Sequence, residues 1–270
     1  DSILFLLESG AKADDIQWII PRDPWMLLRE NAQPLPEYFE RVFGTQADYM
    51  KSMAEAETVE DLFDRLEACG YVVRLDRDVR PQMFHAATIS ELELATIRQV
   101  KNIIRMGHVT ALEENRILLT GGEIETTPGN LHIDCSAGIA RLAKDWVTPK
   151  VFEGNIIRPL TVRSYMPVFS GSLIAYLDVH YDDEDEKNRL SQPVAIPNTL
   201  EDFVAMSLGA MMNQYNWSQD KTLRRWIREN RLDGFTKLTS EIDHDDKSKM
   251  AIMGRIRDTA PKAVGNLMKL

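Results

Sequence analysis

Cysteine is scarce: the 270-residue chain has two, Cys69 and Cys135. They are far apart and form no CxxC pair, which gives no support to a disulfide framework or a zinc centre. A reducing, cytoplasmic compartment suits such a chain. No run of about 20 apolar residues occurs, so no membrane span is expected. No basic segment leads into a signal-type apolar core. HExxH and GxSxG are missing, which removes the usual anchors of a zinc hydrolase and of a hydrolase triad. His85, His108, His132, His180 and His244 are scattered with no pair at helical ligand spacing, so no metal site is expected. No GxGxxG loop is found anywhere. Position 1 is Asp rather than Met, which leads to the expectation that the chain starts within a longer protein.

Basic residues are outnumbered, 32 Lys and Arg against 42 Asp and Glu, for a net charge of -10. Such a balance argues against a nucleic-acid partner. Part of the excess is local, in YDDEDEK (181–187) and EIDHDD (241–246), which read as solvated loops rather than cation sites. With 44% hydrophobic and 27% charged residues, the composition is that of a globular protein long enough for a sizeable core.

The order of patterns along the chain suggests an α/β protein. SILFLL (2–7) is apolar nearly all round and predicts a helix buried on more than one side, stopped at Gly10. IQWII (16–20) is a short continuous apolar run ended by Pro21, as in a parallel-sheet strand. From Pro24 to about Gly70 the spacing is helical, with a Thr58/Asp61 capping box and a Gly70 stop. YVVRLD (71–76) is a short strand or an extended linker. SELELATIRQVKNII (90–104) predicts a helix capped by Ser90. Residues 106–138 carry short alternating segments broken by Glu-Asn, Gly-Gly and Pro-Gly, a small β meander closed by LHIDCSAG as a strand. Residues 150–162 read as extended and 170–181 as helix. Helices are expected over 199–216, 218–231 and 248–268.

A helix followed by a strand ending in Arg is half of a dinucleotide-binding unit. In such a unit glycines and a helix N-terminus meet the pyrophosphate, and an Arg after the second strand suits a ribose 2′-phosphate. DSILFLLESGAKADDIQWIIPRDPW (1–25) resembles the nicotinamide-nucleotide half of the flavin-containing monooxygenases and their bacterial and fungal relatives. LHIDCSAGIA (131–140) resembles the segment, Ala-Thr-Gly in that family, where the chain returns to the flavin domain. The departures are the two absent glycine fingerprints and the absent Thr of Ala-Thr-Gly.

The resemblance implies a partial Rossmann-type nucleotide-binding domain over 1–138, with a helical insertion at about 34–104 and a small β meander. A flavin-type part and an α-rich C-terminal region would follow over 139–270. It implies FAD and NADP as cofactors and hydride transfer from NADPH to FAD, with monooxygenase chemistry as one outcome. The implied cofactor-binding residues are Asp1, Arg22, Trp25, Ser136, Ala137, Gly138, Ser170 and Gly171.

Each assignment has a plainer competitor. Arg22 is a 2′-phosphate ligand or a surface Arg pairing with Asp23. Trp25 covers an adenine or packs on a neighbouring helix. Cys135 reads as a small buried hydrophobe, not a nucleophile. Ser136, Ala137 and Gly138 bring backbone close to a cofactor or close a strand end. Ser170, Gly171 and Ser172 open a helix toward a flavin or form an ordinary cap. Trp217 and Trp226 read as core or as an interface stripe. Two rival functions stand beside the oxidoreductase: a nucleotide-binding module without turnover, and a helical module in which 199–270 docks a partner or a twin subunit as a homo-oligomer.

Overall fold

The computed structural model describes residues 1–136, 148–194 and 196–270. Its first element is helix α1 (Ser2–Glu8). Gly10 at φ +96° ends it, letting the Ala11 N–H reach back to the Leu6 carbonyl at 3.0 Å, a reversal that glycine makes without steric cost. The helix is not buried on several sides. Ile3 and Leu4 pack inward while Phe5 stays 68% exposed, so one face, against α4, takes the load.

Strand β1 (Trp18–Ile19) follows and is shorter than IQWII suggested, because only these residues find a ladder partner. β2 (Pro24–Leu28) lies where the spacing reads as helix. α2 (Phe39–Glu55) and α3 (Val59–Ala68) come next. Thr58 caps α3 by accepting from the Asp61 N–H at 3.1 Å, while the Asp61 carboxylate turns back to the Glu57 N–H at 2.9 Å. Gly70, at φ +74°, lets Tyr71 N–H reach the Leu66 carbonyl. β3 (Val72–Arg74) resolves the choice between strand and linker in favour of strand.

β4 (Met83–Ile89) completes a mixed sheet of order β3-β2-β4, in which the central β2 is antiparallel to β3 and parallel to β4. α4 (Glu91–Ile97) begins in a full capping box on Ser90 and ends early. β5 (Ile103–Ile104) then runs parallel to β1, pairing Trp18 with Ile103 and Ile19 with Ile104. The stretch 34–104 is therefore mixed, not a helical insertion. The meander forms as expected: β6 (Val109–Leu112), β7 (Arg116–Leu119) and β8 (Gly122–Glu125), antiparallel throughout.

Residues 131–136 form no strand, and Leu131 and Ile133 are exposed. Among the described residues nothing pairs with this backbone as a ladder. β9 (Phe152–Glu153) and β10 (Ile156–Ile157) make a two-stranded hairpin. The remainder is helical: α5 (Pro167–His180), α6 (Glu184–Leu190), α7 (Leu200–Gln219), α8 (Lys221–Glu229), α9 (Gly234–Ser240) and α10 (Lys247–Leu267). The acidic stretch at 181–187 runs into α6 rather than a loop. Asp183 accepts from the Glu186 N–H at 2.7 Å, and acidic side chains fill the first turn, where the helix dipole favours them.

The architecture is mixed α/β with four small sheets among the described residues. The largest core joins Trp25, Phe63 and Phe84 to Phe203, Met206 and Leu267. It therefore draws on both sides of the boundary expected at 138/139, which does not separate two cores. A second core gathers Phe152, Phe169, Leu177 and Trp217. Trp217 is buried and donates to the Leu190 carbonyl at 2.8 Å, and Trp226 stacks on Tyr176. These two tryptophans are packing residues. No described helix is long and apolar enough to cross a membrane.

Candidate functional site

The parallel pair β1–β5 sets the geometry at its carboxyl end. After Pro21 the chain presents Arg22 to solvent and Asp23 to the interior. Asp23 accepts two hydrogen bonds from Arg105, from Nε at 2.8 Å and from Nη2 at 3.0 Å. Arg105 follows directly on β5 and also reaches Asp76 at 3.2 Å. A forked guanidinium–carboxylate pair of this kind is both strong and directional, and here it ties the two strand ends together.

Because Asp23 is engaged by Arg105, it does not pair with Arg22. The Arg22 guanidinium donates instead to the neutral Asn198 Oδ1 at 3.2 Å. Among the described residues no carboxylate lies within ion-pair distance of it. The expected pairing with Asp23 is thus not formed: Arg22 is exposed just past a strand end and, among the described residues, has no ion-pair partner.

Asp1 is exposed and sits at the N-cap of α1, with no hydrogen bond from its side chain into the helix. One residue on, Ser2 Oγ lies 3.4 Å from Cys135 Sγ. The two segments singled out in the sequence, 1–25 and 131–140, therefore meet across 133 residues, the second being described as far as Ser136. Cys135 is exposed, not a buried hydrophobe. Ser136 is also exposed, and its N–H donates to Asp134 Oδ1 at 2.8 Å. The hydroxyl and N–H of Ser136 hold the Asp134 carboxyl below its ordinary range. Ala137 and Gly138 lie outside the described residues.

Other candidates are placed elsewhere. Trp25 is fully buried, stacked on Phe63 at 5.6 Å with the Arg74 guanidinium 4.9 Å above its ring. A ring with no exposed surface cannot cover an adenine, so the packing alternative holds. Ser170 and Gly171 do not open a helix, because α5 starts three residues earlier at Pro167. Ser170 is buried, and its Oγ accepts from the Val162 and Arg163 N–H groups while donating to the Met166 carbonyl. Every polar capacity of that hydroxyl is used inside the protein. A Cβ placed on Gly171 would meet nothing within 4 Å, so no close approach demands the glycine.

The segment before α5 carries its own features. Tyr165 takes φ +64°, a left-handed conformation that a bulky side chain rarely adopts. Ser164 Oγ is buried without a hydrogen-bond partner. Both border a cavity of about 200 Å³ that Tyr49, Tyr71, Met206 and Ser207 also line. The Tyr49 hydroxyl donates to Ser207 Oγ at 2.9 Å, and burial pushes its phenol up to about 12. Beside it the buried Asp233 carboxylate accepts from Arg163 at 2.8 Å. Sequence reading missed Asn198, Arg105 and this cavity. No local pattern marks a partner 82 or 176 residues away.

The fold and site define a mixed α/β protein with a parallel strand pair and a cationic strand end. Comparison adds relatives. The chain is 33% identical over 272 aligned positions to an uncharacterized protein of Mycobacterium bovis. It is equally similar to an uncharacterized protein of Mycobacterium tuberculosis. All of the chain is covered in both cases, and it spans about half the length of these curated relatives, 50% of each. No family model matches. No solved structure matches either.

Proposed function

We propose that the chain forms part of a flavin- and NADPH-dependent oxidoreductase of the kind the flavin-containing monooxygenases represent, with α1, β1 and Arg22 belonging to its nicotinamide-nucleotide domain of Rossmann type. The observation that carries this reading is Arg22: a guanidinium at the carboxyl end of a parallel strand that follows a helix, with no carboxylate within ion-pair distance among the described residues. That is where the ribose of a dinucleotide is read in a doubly wound sheet, and a guanidinium matches a 2′-phosphate bidentately. The contact of Ser2 with Cys135 supports the same reading, since it brings the cofactor-return segment to the start of α1.

NADP fits the residues present at Arg22. FAD does not fit at Ser170 and Gly171, whose polar groups are committed inside the protein, so no flavin contact is assigned there. When bound, the two cofactors supply the redox chemistry, hydride passing from nicotinamide to flavin. This chain's part is to hold the phosphorylated ribose at Arg22, with Asp23 and Arg105 fixing the strand end that carries it.

The protein expressed from its complete coding sequence tests the reading. Bound oxidised flavin gives visible absorbance, which NADPH bleaches under anaerobic conditions. Arg22→Ala weakens NADPH by about tenfold or more and leaves NADH unchanged, the size of one lost charge-assisted contact. A protein that carries no flavin, or an unchanged NADPH/NADH preference in Arg22→Ala, overturns it.

A further inference from the structure

A second cationic place lies away from Arg22. Between α3, β3 and α4 runs a cleft of about 500 Å³, lined by Leu28, Val73 and Leu94 and by the charged Glu67, Arg74, Glu91, Arg77 and Arg98. Its volume is within the range of small-molecule sites.

The charges there do not cancel. Glu67 is taken by Arg74, whose Nε donates to Oε1 at 2.8 Å and whose Nη2 binds Oε2. Glu91 is taken by Arg41 at 2.8 Å, from outside the cleft. Asp76, next in the chain to Arg77, is taken by Arg105. Arg98 is held by two backbone carbonyls, Leu75 through Nε and Arg74 through Nη2, each at 2.8 Å. Those bonds fix the guanidinium without neutralising it, and they leave Nη1 uncommitted.

Arg77 is exposed, and among the described residues its side chain makes no hydrogen bond or ion pair. Burial and then the nearby Arg77 charge lower the proton affinity of Arg98, against a smaller opposing pull from Asp76. Two guanidiniums without an ion pair among the described residues thus face one cleft, in a chain whose net charge is -10. Like charges held near each other cost stability unless a counter-charge joins them.

We propose that this cleft binds a small phosphorylated ligand, with Arg77 and Arg98 holding the phosphate and Leu28, Val73 and Leu94 receiving the remainder of the molecule. A phosphomonoester brings close to two negative charges, a diphosphate more, and both bring several acceptor oxygens, which the Arg77 fork and the Arg98 Nη1 can meet. The inference is independent of the nicotinamide reading, which concerns Arg22.

Calorimetric titration of the whole protein with inorganic pyrophosphate tests it, at ionic strength held constant with chloride. Saturable binding is expected, about tenfold weaker or worse in Arg77→Ala and unchanged in Arg22→Ala. The Arg77 side chain makes no hydrogen bond or ion pair among the described residues, so its loss does not lower the thermal unfolding midpoint without ligand. Succinate, a dicarboxylate without phosphoryl oxygens, is expected to bind much more weakly. Absence of pyrophosphate binding, equal binding by Arg77→Ala, loss in Arg22→Ala alone, or equal affinity for succinate each overturns the assignment. Failure of NADPH selectivity at Arg22 leaves these outcomes untouched.

Discussion

Two ion pairs show how a residue's neighbours decide its role. Asp23 is almost fully buried and Arg105 partly so. Removing one partner of such a pair leaves the other without its counter-charge, a large penalty when both are buried; Arg105 keeps contact with solvent and Asp76, so the effect is smaller. Asp23→Asn is expected to lower stability by about 2 kcal/mol, read from the urea midpoint at constant slope. Arg163 and Asp233 form the more deeply buried pair. Burial alone would raise the Asp233 carboxyl, but the Arg163 charge, with hydrogen bonds from Arg163 and Thr236, outweighs it and holds the carboxyl below its ordinary range. The unfolded chain then takes up the proton first, near pH ~4, so the pair's stabilisation is present above that pH and lost as pH falls through the folded value. In Arg163→Met the largest opposing charge is gone while the Thr236 hydrogen bonds remain, so the carboxyl moves up from its wild-type position. Its loss of stability as pH falls from about 7 to 3 should therefore be smaller than that of the wild type. Urea unfolding at both pH values compares them, and equal pH slopes would refute the pairing argument. At Tyr49 a similar measurement applies in alkali. Its phenol titrates at about 12 when folded and near ~10 when unfolded. Stability is therefore complete below ~10 and drains between the two values, a loss that Tyr49→Phe should reduce.

Elements whose signals lie within a few residues were legible. Ser90 and Glu93 close their box across one turn, Gly10 and Gly70 mark helix ends by their positive φ, and the Gly121–Gly122 turn was visible between alternating segments. β2 and β4 were not legible. Their ladder partners stand far along the chain, at 72–74 and at 83–89 for β2, and strand propensity reflects packing more than local preference. The capping box of α7 bears on the site itself. Thr199 Oγ1 accepts from the Asp202 N–H at 3.1 Å, and Asp202 Oδ2 accepts from the N–H groups of both Thr199 and Asn198 at 2.9 Å. That box fixes Asn198, the residue to which Arg22 donates. Thr199→Ala should cost about 1 kcal/mol in thermal or urea unfolding, and Thr199→Ser should recover most of it.

At the scale of the molecule, the C-terminal helices are built into the main core of the protein. α10 packs along α2, Asn266 Nδ2 donates to the Met53 and Ala56 carbonyls at 2.9 and 2.7 Å, and Phe203, Met206 and Leu267 sit in the main core. Losing one buried aromatic costs about 3–5 kcal/mol, while a whole domain is stable by about 5–15 kcal/mol. A chain cut at 198 should therefore lose cooperative unfolding altogether. A sharp transition, with size-exclusion behaviour of a folded monomer, would instead mean that 199–270 is detachable. The sequence alone determined the helix boundaries with short-range caps, the presence of a small meander though not its end, the helical C-terminal third and the low cysteine and acidic balance, because each rests on residues within a few positions or on composition. Only the tertiary structure decided that Asp23 belongs to Arg105 rather than Arg22, that Trp25 is core, and that Ser170 binds its own backbone. Those outcomes turn on which distant side chains meet, since burial and charge pairing are properties of a neighbourhood that the linear order does not contain.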